Sequence, residues 1–83
     1  MNRKEKELQH QNEIKLFDDF LWVEKVMRGC KTFKQLYNAD KLGHILLKKY
    51  KDKISDSVKT MVESRLYDIY FEVEDRFYIN KNE

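Results

Sequence analysis

The chain contains no proline and only two glycines, Gly29 and Gly43, in 83 residues. A small sheet protein has to reverse direction many times, and its tight turns draw on those two residue types. With so few breakers, long helices joined by two short connections are the economical solution. Composition agrees. Charged residues make up 39% and hydrophobic residues 41%, which suits helices with one buried and one solvated face. The 13% aromatic content argues against disorder over most of the length. A chain of this size implies one domain, and such a domain buries only about 60% of its extended-chain surface.

Gly29 divides the first helix from the second. It follows Val26-Met27-Arg28, where a glycine in the left-handed conformation is expected to end a helix in a Schellman-type stop, with Cys30 as its apolar contact. Thr32-Phe33-Lys34-Gln35 then reads as a capping box: the Thr32 hydroxyl accepts from the Gln35 amide, and the Gln35 side chain reaches back. Together they predict a tight helical hairpin. The first helix runs from about Ile14, or from as early as Arg3, to Arg28. Its inner face is Leu16, Phe20, Val23 and Met27, spaced i, i+4, i+7 and i+11. Residues 1–12 are polar and read as a tail or as a helical extension. The second helix runs from Phe33 to about Tyr50, with Leu36, Ala39, Gly43, Leu46, Leu47 and Tyr50 inward. Gly43 lies inside a helix, where glycine costs up to about 1 kcal/mol against alanine. With Ala39 four residues before it, it marks a place for close helix approach. Lys51–Ser55 forms the second connection, with Ser55 or Ser57 as N-cap. The third helix runs from about Val58 to Phe77 or Ile79, and residues 80–83 form a tail. Its inner stripe is Val58, Val62, Leu66, Ile69, Val73 and Phe77. Three such stripes cover one another, which predicts an all-α three-helix bundle over residues 13–79.

Aromatic residues remain over. Tyr67, Phe71 and Tyr78 form a second stripe on the third helix, at roughly 150° to the inner one at 100° per residue. On the first helix Ile14, Phe17 and Leu21 lie to one side of the main face, and Trp22 lies on another. Three helices cannot cover all of these, and monomers rarely leave large apolar patches wet. The expected interface residues are therefore Phe17, Leu21, Trp22, Tyr67, Phe71 and Tyr78. The expected partner is a second copy in a homodimer or a different protein.

Charge is unevenly spread. Residues 1–24 hold four Lys/Arg against six Asp/Glu, residues 25–59 hold ten against three, and residues 60–83 hold three against six, for a net charge of +2. One reading pairs a basic second helix with acidic neighbours, at little net value. The other makes Lys48, Lys49, Lys51 and Lys53 a patch for the phosphates of a nucleic acid or nucleotide. Lysines at a helix C-terminus also complement its dipole. The second helix is too long, and the hairpin too tight, for a helix-turn-helix, and no glycine-rich phosphate loop occurs.

Nothing in the spacing points to catalysis, a metal or a cofactor. Cys30, His10 and His44 are single and far apart, unlike any zinc motif. Cys30 after a helix stop reads as structural rather than as a nucleophile served by His44. His44 follows Asp40 by four residues, which is a helical pair. Glu72, Glu74 and Asp75 read as a solvated face. A single cysteine leans towards a reducing compartment, and no apolar run approaches the roughly 20 residues that span a bilayer. The expectation is a non-enzymatic protein of the cytoplasm.

The segment Cys30-Lys31-Thr32-Phe33-Lys34-Gln35-Leu36, followed by Ala39, Leu42 and Tyr50, resembles a pattern in small helical accessory proteins encoded by tailed bacteriophages. The resemblance implies a protein of the host cytoplasm that binds and inhibits a host or defence protein. It carries over no functional residue.

Overall fold

The computed structural model describes residues 2–81, the side chains of residues 80 and 81 excepted. Three helices follow one another: α1 (Arg3–Arg28), α2 (Phe33–Tyr50) and α3 (Asp56–Lys81). Each contacts both of the others. Cross-chain contacts set the topology. The Tyr50 hydroxyl donates to Asp19 Oδ2 at 3.3 Å, tying the end of α2 to the middle of α1. Gly43 lies under Leu66, and Phe33 meets Phe77 ring to ring at 5.1 Å, so α2 and α3 are antiparallel. Ser55 N–H donates to Glu13 Oε2 at 2.9 Å, and Arg28 Nη2 pairs with Glu72 Oε2 at 3.2 Å. Helices α1 and α3 therefore run parallel, in an up-down-up bundle.

The helices are staggered. A 26-residue helix such as α1 or α3 is about 39 Å long, yet the molecule measures 57 × 16 × 15 Å. Its radius of gyration of 15.1 Å exceeds the about 12 Å expected of a globular chain of this length. The first turns of α1 project past the end of α2. They are held helical by a capping box in which Asn2 Oδ1 accepts from Glu5 N–H and Glu5 Oε2 accepts from Asn2 N–H. Residues 3–12 are thus a helical extension, and Leu8, Gln9 and Asn12 lie beside the α2–α3 turn at Asp52–Ile54. Helix α3 continues to Lys81, past the tail expected from residue 80; residues 82 and 83 lie outside the described part.

The inner stripes meet as the periodicity predicts. Leu16, Phe20, Val23 and Met27 of α1, Leu36, Ala39, Leu47 and Tyr50 of α2, and Val62, Leu66, Ile69 and Val73 of α3 are buried. Val58, Leu46 and Phe77 pack half-buried at the margin. Ile54, from the α2–α3 turn, closes the end of the core. Gly43 is the point of closest approach: a Cβ there would lie 2.6 Å from Leu66 Cδ2 and 3.1 Å from Cδ1. The glycine makes room for a fully buried leucine.

Two local expectations are corrected. Gly29 is not left-handed; its φ of −85° and ψ of −4° lie in the bridge region at negative φ, which turn residues other than glycine also adopt. The helix ends by tightening: Gly29 N–H donates to Lys25 O and Val26 O, and Cys30 N–H to Met27 O. These bonds satisfy terminal carbonyls without a positive φ. The Thr32 box is also shifted by one residue. Thr32 Oγ1 accepts from Gln35 N–H at 3.1 Å, but Gln35 Oε1 accepts from Lys31 N–H at 2.8 Å rather than from Thr32.

Candidate functional site

Each helix of a three-helix bundle has two flanks beside its buried stripe, and facing flanks form three seams. The surplus apolar residues fall into these seams rather than onto one outer face. In the α1–α2 seam, Trp22 faces Leu42, Ile45 and Leu46 across an apolar groove whose rim carries Asp19 and Lys49. Trp22 is 59% exposed and Ile45 63%. In the α2–α3 seam, Tyr37, Asp40 and His44 of α2 face Tyr67, Tyr70 and Phe71 of α3. The α1–α3 seam is stitched by charge. Glu24 Oε2 accepts from Arg28 Nε at 3.0 Å and from Arg65 Nη2 at 3.2 Å. Leu21 stands exposed three residues before Glu24, on the same flank, and exposed Met61 one turn before Arg65.

The expected interface residues are therefore not one surface. Tyr67 and Phe71 belong together: their rings stack at 6.2 Å with 18° between planes. Trp22 lies across α2 from them, in the other seam. Tyr78 sits at the far end of the rod, where its ring meets Phe33 at 5.5 Å. Phe17 is half-buried and packs on the core, so it is removed from the exposed set; a position one quarter-turn off the inner stripe is still within reach of α3. Tyr37, Leu42, Ile45 and Tyr70 complete the seams, and none of them is among the expected interface residues. The signal was present, since Tyr37 and His44, like Leu42, Ile45 and Lys49, recur at helical spacings along the two flanks of α2.

The charged groups divide differently from either expectation. Among the described residues, no lysine of α2 or of the turn after it forms an ion pair; the pairs are Arg3–Glu7, Arg28–Glu24, Arg28–Glu72, His44–Asp40 and Arg65–Glu24. Pairing of a basic α2 with its neighbours is thus corrected: arginines join α1 to α3, and the lysines stay solvated. Lys48, Lys49, Lys51 and Lys53 surround the end of α2, and Lys49 Nζ lies 5.5 Å from the Tyr50 ring centroid. Arg28 hydrogen bonding holds the Glu72 carboxyl below its usual range, so part of the expected acidic face is engaged.

Cys30 is half-buried; its thiol donates to Val26 O at 3.2 Å, and burial raises its pKa. A thiol held protonated is a poor nucleophile. His44 Nε2 lies 3.3 Å from Asp40 Oδ2, in the helical pair that the spacing predicted. Glu13 accepts from Ser55 N–H at the start of α3. Among the described residues, no three His, Cys, Asp or Glu side chains converge on a metal position, and no helix is long and apolar enough to cross a membrane. No protein-family model matches this sequence, and no curated protein or solved structure matches it either.

Proposed function

We propose that this chain is a non-enzymatic interaction protein that pairs with itself and binds a protein partner, acting as an inhibitor in the way the phage resemblance implies, in the host cytoplasm. The observation that supports this reading is the exposure of large apolar side chains along both flanks of α2. Trp22, Leu42 and Ile45 stand open on one side, and Tyr37, Tyr67 and Phe71 on the other. Fully burying a large apolar side chain gains about 1.5–3 kcal/mol, so covering either seam supplies a strong drive to association. A standard interface takes about 800 Å² from each partner, which is available on a rod exposing 6355 Å². Aromatic anchors of this kind commonly dominate binding energy.

Size-exclusion chromatography with light scattering tests the reading. The expected mass is twice that of the 10.2 kDa chain. Tyr67→Ala with Phe71→Ala is expected to keep the helical circular dichroism and abolish association. A strict monomer at micromolar concentration removes self-association, and unchanged association of the double variant removes the α2–α3 seam.

A second reading follows from the unpaired lysines. Lys48, Lys49, Lys51 and Lys53 are free to meet phosphates, and a nucleic acid would release counterions on binding them. A salt titration of binding to a short duplex separates the readings. Affinity that falls steeply with salt supports the lysine patch, and no affinity at low salt eliminates it.

A further inference from the structure

The α2–α3 seam holds more than an apolar surface. Its cleft, about 230 Å³, is lined by Tyr37, Asp40, His44, Tyr67, Tyr70 and Phe71. Four aromatic rings and one carboxylate converge there. Tyr67 and Phe71 stack nearly parallel at 6.2 Å, while Tyr70 stands at 88° to Phe71 with centroids 6.0 Å apart. The rings thus form a corner rather than a flat wall, and Tyr37 faces it from α2. We propose that this corner is a binding site for an alkylated ammonium cation, held against the aromatic faces and paired with Asp40.

Three observations carry the assignment. Aromatic faces are electrostatically negative and attract cations lacking tight hydration. This chain already uses one of these rings that way, since Lys41 Nζ lies 4.6 Å from the Tyr37 centroid. Asp40 supplies the negative charge of the lining, and Lys41 is the resident cation that a ligand would displace from Tyr37. Asp40 is the carboxylate in the lining, its Oδ2 faces His44, and among the described residues Oδ1 has no protein partner. Burial foremost, then Glu74 and Asp40, raise the Tyr70 pKa. Finally, the volume is below the about 300 Å³ at which pockets for whole drug-sized ligands begin. It fits a head group whose remainder stays outside.

The same head group arrives on a free small molecule or on a methylated lysine side chain. Tyr67 and Phe71 also carry the proposed dimer contact, so the titration is made at a dilution where light scattering finds only monomer, and the failure of the dimer is read from the scattering alone. The test is an NMR titration of the full chain, following the aromatic ring and backbone signals. The probes are choline, Nα-acetyl-trimethyllysine amide, and dimethylbutanol, in which a carbon replaces the quaternary nitrogen of choline. Saturable shifts confined to the six lining residues are expected, with at least one cation binding about tenfold more tightly than the neutral isostere. Choline as the tighter cation identifies a small-molecule source, and the lysine derivative a protein side chain. Asp40→Asn and, separately, Tyr67→Leu are each expected to weaken the cation several-fold while circular dichroism stays unchanged. Equal binding of choline and dimethylbutanol, shifts elsewhere, or no saturable shift with either cation would overturn the proposal. Undiminished affinity in Asp40→Asn would do the same.

Discussion

At the scale of single residues, the two glycines look equivalent in the sequence and are opposites in the structure. At Gly29 an added Cβ meets only Lys25 O at 3.5 Å and Val26 O at 3.6 Å, in ordinary contact, with φ at −85°. Gly29→Ala is therefore expected to stabilise by about 0.4–1 kcal/mol through the unfolded chain. At Gly43 the added Cβ runs into Leu66. Alanine there gains up to about 1 kcal/mol of helix propensity, but overpacking a filled core costs about 1–3 kcal/mol, so Gly43→Ala is expected to destabilise. In a Leu66→Ala background the clash is gone and the same substitution should stabilise. Urea denaturation of the four-variant cycle checks the change of sign; additive effects would refute the steric account. Buried Tyr50 and half-buried Tyr70 make a second prediction. Burial, then Asp19, raises the Tyr50 pKa, and burial, then Glu74 and Asp40, raises that of Tyr70. The folded chain holds both protons more tightly than the unfolded chain. Their stabilisation is whole below the ordinary phenol value of about 10 and is lost as pH rises through the raised values. Tyr50→Phe forfeits the Asp19 hydrogen bond, about 1 kcal/mol at neutral pH. Together with Tyr70→Phe it should flatten the alkaline loss, measured by denaturant titration at several pH values.

At the scale of elements, helix termini show how much local chemistry a short motif controls. Helix α3 begins with two acceptors from different parts of the chain. Ser55 Oγ accepts from Val58 N–H at 3.3 Å, as an N-cap should, and Glu13 of α1 accepts from Ser55 N–H at 2.9 Å. A carboxylate at a helix N-terminus also meets the positive end of its dipole. Ser55→Ala and Glu13→Ala are each expected to cost about 1 kcal/mol. Hydrogen exchange separates their reach: Ser55→Ala should speed exchange at Val58, and Glu13→Ala at Ser55. Equal protection in both variants would show that neither acceptor matters. The Ser55 cap was legible, because a serine before an amphipathic run is a recognisable start. The Glu13 acceptor was not, because forty-two residues separate the partners and nothing local links them. The same limit applies to the Thr32–Gln35 motif. Its residue types foretell a capped start, but the rotamer of Gln35, which sends its oxygen to Lys31, depends on how the chain enters from α1.

At the scale of the whole molecule, length is out of proportion to core. One stagger of ten residues separates the start of α1 from the level where α3 begins, as the Glu13–Ser55 contact shows. The core fills a narrow cylinder, while among the described residues thirteen large hydrophobic side chains stand exposed against thirteen buried hydrophobic residues, small Ala39 among them. Association through either seam should then couple to folding. The melting temperature is expected to rise with protein concentration in the wild type and to be independent of it in Tyr67→Ala/Phe71→Ala. Calorimetry over a wide concentration range checks this, and a constant wild-type melting temperature would count against the dimer.

The number of helices, the bounds of α2 and the core residues other than Ile54 are legible in the sequence, because they follow from the 3.6-residue period and from the scarcity of breakers. The sequence also marked Tyr67, Phe71 and Tyr78 as surplus to the inner stripes. Which surplus residues meet follows from tertiary packing. The relative rotation and stagger of packed helices follow from side-chain contacts such as Leu66 over Gly43, far apart in the chain. Those contacts set Trp22 and Tyr67 in different seams, pack Phe17 half-buried against the core, and bring Tyr37 and Asp40 of one helix to the aromatic corner of another.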